Sequence, residues 1–235
     1  MTKIIELDWQ VTPLGDVLLR RRIDPVLETE VFEVKLGDEF LMSSLFTAAE
    51  IELARLGLTS STADTLDVLV GGLGLGYTAA AALEDSRIRN LIVVETLAPV
   101  IDWHRRELLP DTASIIHDAR TQLFLGDFFQ LIGQDRPFDP QLPEQYDVIL
   151  LDIDHTPDHV LHPTHADFYT EAGLQRLHRH LKPHGVFALW SDDPPDNHFV
   201  TRLDATFEEV VAHVVDFHNP LTRATSSNTV YVAKS

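Results

Sequence analysis

Cysteine is absent from the 235 residues. Disulfide bonds and thiolate chemistry are therefore excluded, and the redox compartment stays open. Basic residues are scarce, 18 Lys and Arg against 37 Asp and Glu, for a formal net charge of -19. A chain this acidic repels phosphate backbones, which argues against nucleic acid as a bulk partner and otherwise favours solubility. Long hydrophobic runs are lacking too. The longest apolar stretch, VLVGGLGLGYTAAAAL (68–83), carries four glycines and makes a weak lipid-facing helix. The start, MTKIIELDWQ, has no charged-then-apolar signal pattern. The expectation is a soluble, cytoplasmic protein with no membrane partner. Internal repeats and low-complexity tracts are missing as well. What remains is an ordinary globular composition, 44% hydrophobic and 23% charged, in a chain long enough to need no metal or disulfide staple.

Short apolar runs alternate with helical patterns after about residue 60. LDVLVG (66–71), NLIVVE (90–95), TQLFLGD (121–127), YDVILLDID (146–154) and GVFALWS (185–191) read as five strands. YTAAAALED, PVIDWHRRELL and HADFYTEAGLQRLHRHL read as helices, the last stopping near Lys182-Pro183-His184-Gly185. EEVVAHVVDF and NTVYVAKS read as a final antiparallel pair. This alternation predicts an α/β fold, a mostly parallel sheet with helices on both faces. Residues 1–57 differ. DVLLRRRI, ETEVFEVKLG and EFLMSS predict a small antiparallel sheet, and LFTAAEIELARLGL a helix. GLTSSTADT (57–65) is expected to be a hinge, dividing a β-rich segment with a helix (1–57) from the larger domain (58–235). FDPQLPEQ (138–145) reads as a surface loop.

The glycines now have a context: a strand, a tight turn and a helix start. Gly72, Gly74 and Gly76 form G-x-G-x-G, where positive φ and a missing Cβ let a ligand approach. Packing of a helix on a strand explains glycines too. Glu95 closes the second strand, 23 residues on from Gly72, where a carboxylate can accept from both ribose hydroxyls. Asp127 closes the third strand and can accept from an adenine amino group while Phe128 faces the ring; capping of the FFQLI helix is the competing role. All three features fall at strand C-terminal ends, where open α/β sheets bind ligands. A full dinucleotide fingerprint needs glycine at 77, and Tyr77 stands there. A nucleoside without phosphate, such as S-adenosylmethionine, suits this turn better than NAD.

These motifs resemble the spermidine synthase (polyamine aminopropyltransferase) superfamily, which has a Rossmann-like, methyltransferase-type fold. The resemblance rests on DEF (38–40), VLVGGLGLGYT, VVETLAPVI, DARTQLFLGDFF, YDVILLDID, DFY and LKPHGVFALWSDDP, in the family's order. It implies that Asp152 is the catalytic carboxylate, deprotonating or orienting an attacking amine. It also implies S-adenosylmethionine or its decarboxylated form as co-substrate. The N-terminal sheet helps form oligomers in that family, so a homodimer is expected. The departures cluster at the acceptor side. The family's glycine-loop aspartate falls at Leu75, its Y-H-E run at Met42-Ser43-Ser44, and the second aspartate of its D-S-S-D-P gate at His155.

Residues 152–165 hold Asp152, Asp154, Asp158 and four histidines. Asp154, His155 and Tyr169 are expected to belong to a substrate-facing lid. A divalent cation between Asp152 or Asp154 and Asp192-Asp193 is the alternative, but the spacing fits no zinc pattern and no metal is expected. LRRR (19–22) reads as a charged face on an edge strand rather than a site for an anionic acceptor. The sequence thus predicts a transferase that keeps the donor and changes the acceptor, carrying out methyl transfer to a small-molecule acceptor. Aminopropyl transfer to an amine, and a non-catalytic nucleoside-binding scaffold, are the alternatives.

Overall fold

The computed structural model describes residues 4–134 and 142–235. Two sheets share one core. The first is antiparallel, in the order β1 (Ile4–Thr12), β2 (Gly15–Ile23), β3 (Glu30–Leu36), β4 (Glu39–Ser43). β1 was not anticipated: it is an outer strand, and its weak apolar signal fits the exposure of Ile4, Trp9 and Val11. Helix α1 (Ala48–Ser60) follows. The second sheet contains β5 (Leu66–Gly71), β6 (Ile88–Glu95), β7 (Thr121–Leu125), β8 (Tyr146–Leu151), β9 (Leu181–Ser191), β10 (Glu209–Asn219) and β11 (Ala224–Lys234). Its order is β10-β11-β9-β8-β5-β6-β7. Pairing is parallel from β9 to β7 and antiparallel where β11 meets β9 and β10.

The period-two alternation of the strands divides the core. Val68, Val70, Leu91, Val93, Val148 and Leu150 face α1, α2 (Tyr77–Leu83) and α3 (Ala98–Arg105). Their neighbours Leu69, Ile92, Val94, Ile149 and Leu151 face α4 (Phe128–Ile132), α5 (Glu171–His178) and α6 (Asn197–Asp204). Both faces are covered, which is why these strands read as unbroken apolar runs. Each fully buried aliphatic side chain contributes about 1.5–3 kcal/mol. The small sheet joins the first of these faces through Val17, Leu19, Phe32 and Val34, and so stands beside the C-terminal ends of the parallel strands.

Several elements differ from the sequence reading. The boundary expected at 57/58 falls inside α1, and the first part of the expected hinge is helical. Gly57 does not end the helix because its missing side chain is what lets α1 lie on the sheet: a Cβ there would stand 2.6 Å from Leu150 Cδ2. The single helix expected over 165–181 is a 3-10 turn (Pro163–Tyr169) followed by α5, split where extended Thr170 caps Gly173 N. The stop expected at Lys182–Gly185 is part of β9, looped out between the Leu181–Tyr146 and Val186–Val148 pairs, with His184 at φ 63°. β2 is an inner strand, and its arginines are neutralised: Arg20 and Arg22 reach Glu33 at 2.7 and 2.8 Å, Arg22 also Asp24, and Arg21 Glu30. They form no anion site. The loop expected at 138–145 lies outside the described residues up to 141. Among the described residues no helix is long and apolar enough to cross a membrane.

Candidate active site

The parallel strands end on one side, and there the glycine turn opens. Gly72 and Gly76 both have φ 93°, the left-handed region that favours glycine. A Cβ at Gly72 would lie 2.2 Å from the Asp152 carbonyl oxygen, so the turn and the end of β8 touch backbone to backbone. The turn is pinned from behind. His104 Nε2 lies 2.9 Å from the Gly74 carbonyl, and the Thr112 hydroxyl donates to the Leu75 carbonyl at 2.8 Å. Burial pushes the His104 pKa down. A neutral ring facing a carbonyl must donate from Nε2.

Glu95 ends β6 and is 8% exposed. Its Oε1 accepts from Leu97 N at 2.7 Å, and Oε2 from Leu73 N at 3.1 Å and Gly74 N at 3.4 Å. Burial raises its pKa, and those N–H groups oppose the rise. Asp127 caps α4: Oδ1 accepts from Phe129 N and Gln130 N, and Oδ2 from the Gln130 amide. Phe128 is packed into the core, against Gly71, while Phe129 stacks on His165 with ring centroids 3.9 Å apart. Glu95, Asp127, Phe128, Phe129, Gly72, Gly74 and Asp152 all line one cavity of about 340 Å³, closed on its far side by Val34, Leu36, Leu41 and Met42 of the small sheet.

A second cavity, of about 60 Å³, adjoins it. Glu50, Asp152, Ser43, Tyr77, His155 and Trp190 line it, together with the glycine turn. Asp152 belongs to both cavities. Its N–H donates to the Gly71 carbonyl at 2.8 Å, fixing it at the end of β8. Its Oδ2 accepts from the Thr78 hydroxyl at 2.7 Å. Burial pushes the Asp152 pKa up to about 6, with the Thr78 hydrogen bond opposing. Glu50 on α1 is pushed up to about 8 by burial and by the negative charges of Asp152 and Asp192. Burial and nearby Asp111 push the Tyr77 hydroxyl up to about 12. The arrangement offers one carboxylate ready to take a proton and a second that holds one near neutral pH.

The remaining candidates separate. Asp154 and Tyr169 are each 1% exposed and line neither cavity. Asp154 accepts from Leu161 N, His165 Nδ1 and the Tyr169 hydroxyl, at 2.7, 2.8 and 2.9 Å. The two residues thus brace the segment after β8 rather than face a substrate as expected; all of this donor capacity is spent inside the fold. His155 does reach the smaller cavity. Asp192 is engaged by Asn228 at 2.7 Å, and among the described residues no group of three or more His, Asp or Glu converges on a metal position.

Sequence reading missed Glu50, Thr78 and Trp190, took Met42 only as a departure, and had His165 only as one of the four histidines of the segment after β8. Glu50 left a signal. Leu53, Ala54 and Gly57 follow it at i+3, i+4 and i+7, all buried, so Glu50 sits on the apolar face of its helix. A carboxylate there has a reason other than solubility.

Comparison with known proteins bears on the whole chain. The profile of the spermine/spermidine synthase domain family matches residues 52–234. Among solved structures, the spermidine synthase of Thermotoga maritima superposes with a TM-score of 0.73 at 18% identity, over 97% of this chain and 72% of that one. A spermidine synthase in complex with the transition-state analogue AdoDATO gives 0.72 at 17%, with the same 97% and 72% coverage. A probable spermidine synthase from Corynebacterium glutamicum gives 0.64 at 16%, over 98% and 79%. Comparison with curated protein sequences gives no significant match.

Proposed function

Because the chain belongs to the spermine/spermidine synthase domain family, and is with that family a transferase of the S-adenosylmethionine type, we propose that its reaction is aminopropyl transfer from decarboxylated S-adenosylmethionine to a small cationic amine. One observation carries the choice over methyl transfer. The smaller cavity is acidic, with Glu50 and Asp152 in its wall, and no lysine or arginine lines either cavity among the described residues. A carboxylate on the donor's side arm meets like charge there and no fixed cation. Its removal relieves that repulsion, and an alkylammonium acceptor finds two carboxyl groups.

In the proposed step the donor's nucleoside fills the larger cavity, with Glu95 toward the ribose and the turn of Gly72, Gly74 and Gly76 beside the sulfonium. The acceptor enters as an ammonium ion against Asp152 and Glu50. Asp152 takes its proton. The freed nitrogen lone pair attacks the arm's methylene carbon, the carbon–sulfur bond breaks, and its electron pair leaves with sulfur as a neutral thioether. Asp152 must be ionised to act, so turnover rises as pH passes about 6. The non-catalytic reading is disfavoured, since a scaffold has no use for two carboxyl groups held against repulsion.

The test is incubation of the full chain with decarboxylated S-adenosylmethionine and short aliphatic diamines, and separately with S-adenosylmethionine and the same amines. Mass spectrometry is expected to show an added aminopropyl group in the first case and no methyl group in the second. Methylation in the second without aminopropylation in the first overturns the reading.

A further inference from the structure

We propose that Met42 is a donor-specificity residue: it covers the one backbone N–H of the glycine turn whose acceptor is a thioether rather than an oxygen, and so denies it to a carboxylate-bearing side arm. The proposal rests on the reading above only in placing a sulfonium nucleoside in the larger cavity.

The two cavities share Leu41, Met42, Gly74, Asp152 and Ile153. Any arm that starts on a nucleoside in the larger cavity and reacts in the smaller one passes among these five. Gly74 cannot yield, because His104 and Thr112 pin the turn through the Gly74 and Leu75 carbonyls. Asp152 is fixed by Gly71 and Thr78. Leu41 and Ile153 are branched, whereas Met42 is unbranched and flexible, the side chain best able to move. It lies flat on the turn: a Cβ at Gly74 would stand 2.6 Å from both its Sδ and its Cε.

The N–H groups of the turn can be accounted for one by one. Gly72 N donates to the Val94 carbonyl and Gly76 N to the Leu73 carbonyl. Leu73 N and Gly74 N donate to Glu95. Leu75 N donates to Met42 Sδ at 3.1 Å. A thioether is a weak acceptor and a carboxylate a strong one. The Leu75 N–H is therefore the group from which an arm's carboxylate would gain most, and it is the group that Met42 occupies. An arm ending in ammonium has no use for that N–H and loses nothing by Met42's presence.

The experiment measures calorimetric affinities of wild type, Met42→Ala and Met42→Leu for S-adenosylmethionine, its decarboxylated form and methylthioadenosine, which has no arm. Met42→Ala is expected to raise affinity for S-adenosylmethionine about tenfold, the value of one charge-assisted hydrogen bond, and to change the other two by less than about threefold. Met42→Leu, which fills the space without the sulfur, falls between. Equal changes for all three nucleosides, no change, or no binding of any of them overturns the proposal. A wild type that prefers S-adenosylmethionine, with the shift on Met42→Ala still confined to it, sinks the aminopropyl reading and leaves Met42's role standing.

Discussion

On the proposed reaction, the larger cavity is the donor end of the cleft and the smaller one the acceptor end, and the two are built in opposite ways. At the donor end, Glu95 accepts from the backbone N–H groups of Leu73, Gly74 and Leu97, and Asp127 from those of Phe129 and Gln130 and from the Gln130 side-chain amide. Each part comes from the end of one strand and the residues just after it. At the acceptor end, Glu50 and Trp190 come from α1 and β9, Asp152 directly follows β8, and Met42 comes from the small sheet. Burial and the negative charge of Asp152 raise the cost of ionising Glu50, and burial raises that of Asp152. The donor end is finished before ligand arrives; the acceptor end holds charge that only a ligand can complete. Asp152 is the one carboxylate that belongs to both cavities.

The sharpest way to break this comparison is Asp152→Asn. If Asp152 serves the acceptor, turnover falls by roughly a thousandfold, within the range for loss of a positioned base. Nucleoside affinity, measured by calorimetry, stays within about threefold. An equal loss in both would make Asp152 part of the donor end and erase the division.

Glu50→Gln sharpens it from the other side. The variant removes one of the two carboxyl groups that face the acceptor, so KM for the amine rises about tenfold while kcat changes less, a split that a purely structural glutamate would not produce. Stability supplies an independent readout. The Glu50 pKa in the fold is about 8, above the ordinary glutamate value of 4.5. Between those pH values the folded chain binds more protons at this site than the unfolded chain. Its contribution to stability is therefore fully present below about 4.5 and is lost as pH rises through about 8. The groups that oppose its charge are Asp152 and Asp192. Melting temperature between pH 5 and 9 is expected to fall less steeply in Glu50→Gln than in wild type, and parallel curves would remove Glu50 from the acidic pair.

The same contrast explains what could be read from the sequence. Gly72, Gly74, Gly76, Glu95 and Asp127 stood out because strand, turn and carboxylate are neighbours in the chain, and their spacing reports the geometry directly. The five parallel strands and the final antiparallel pair were legible for the same local reason. Glu50 and Met42 meet the turn only through packing of α1 and the small sheet, at separations that no short motif encodes. Asp154 and Tyr169 misled because a polar residue beside a motif looks like a ligand group, and only burial shows that its partners are internal. The inner position of β2 was hidden by β1, whose exposed face lacks a core signal.

Asp127 gives the smallest expected effect and the finest test of the donor end. Its two carboxylate oxygens already accept three hydrogen bonds within α4, so capping is its established work, and an adenine contact would have to share Oδ2 with Gln130. Asp127→Ala removes both roles and is expected to cost about 1 kcal/mol, a drop of roughly 2–4 °C in melting temperature for a chain of this size. Asp127→Asn keeps an N-cap acceptor and restores most of that loss. The two variants then separate the roles. If capping is all that Asp127 does, nucleoside affinity follows stability and Asp127→Asn binds like wild type. If Oδ2 also holds the adenine amino group, Asp127→Asn stays stable yet binds adenosine donors several-fold more weakly, with inosine analogues unaffected. In that case the donor end, too, keeps one acceptor in reserve, and its difference from the acceptor end is one of degree.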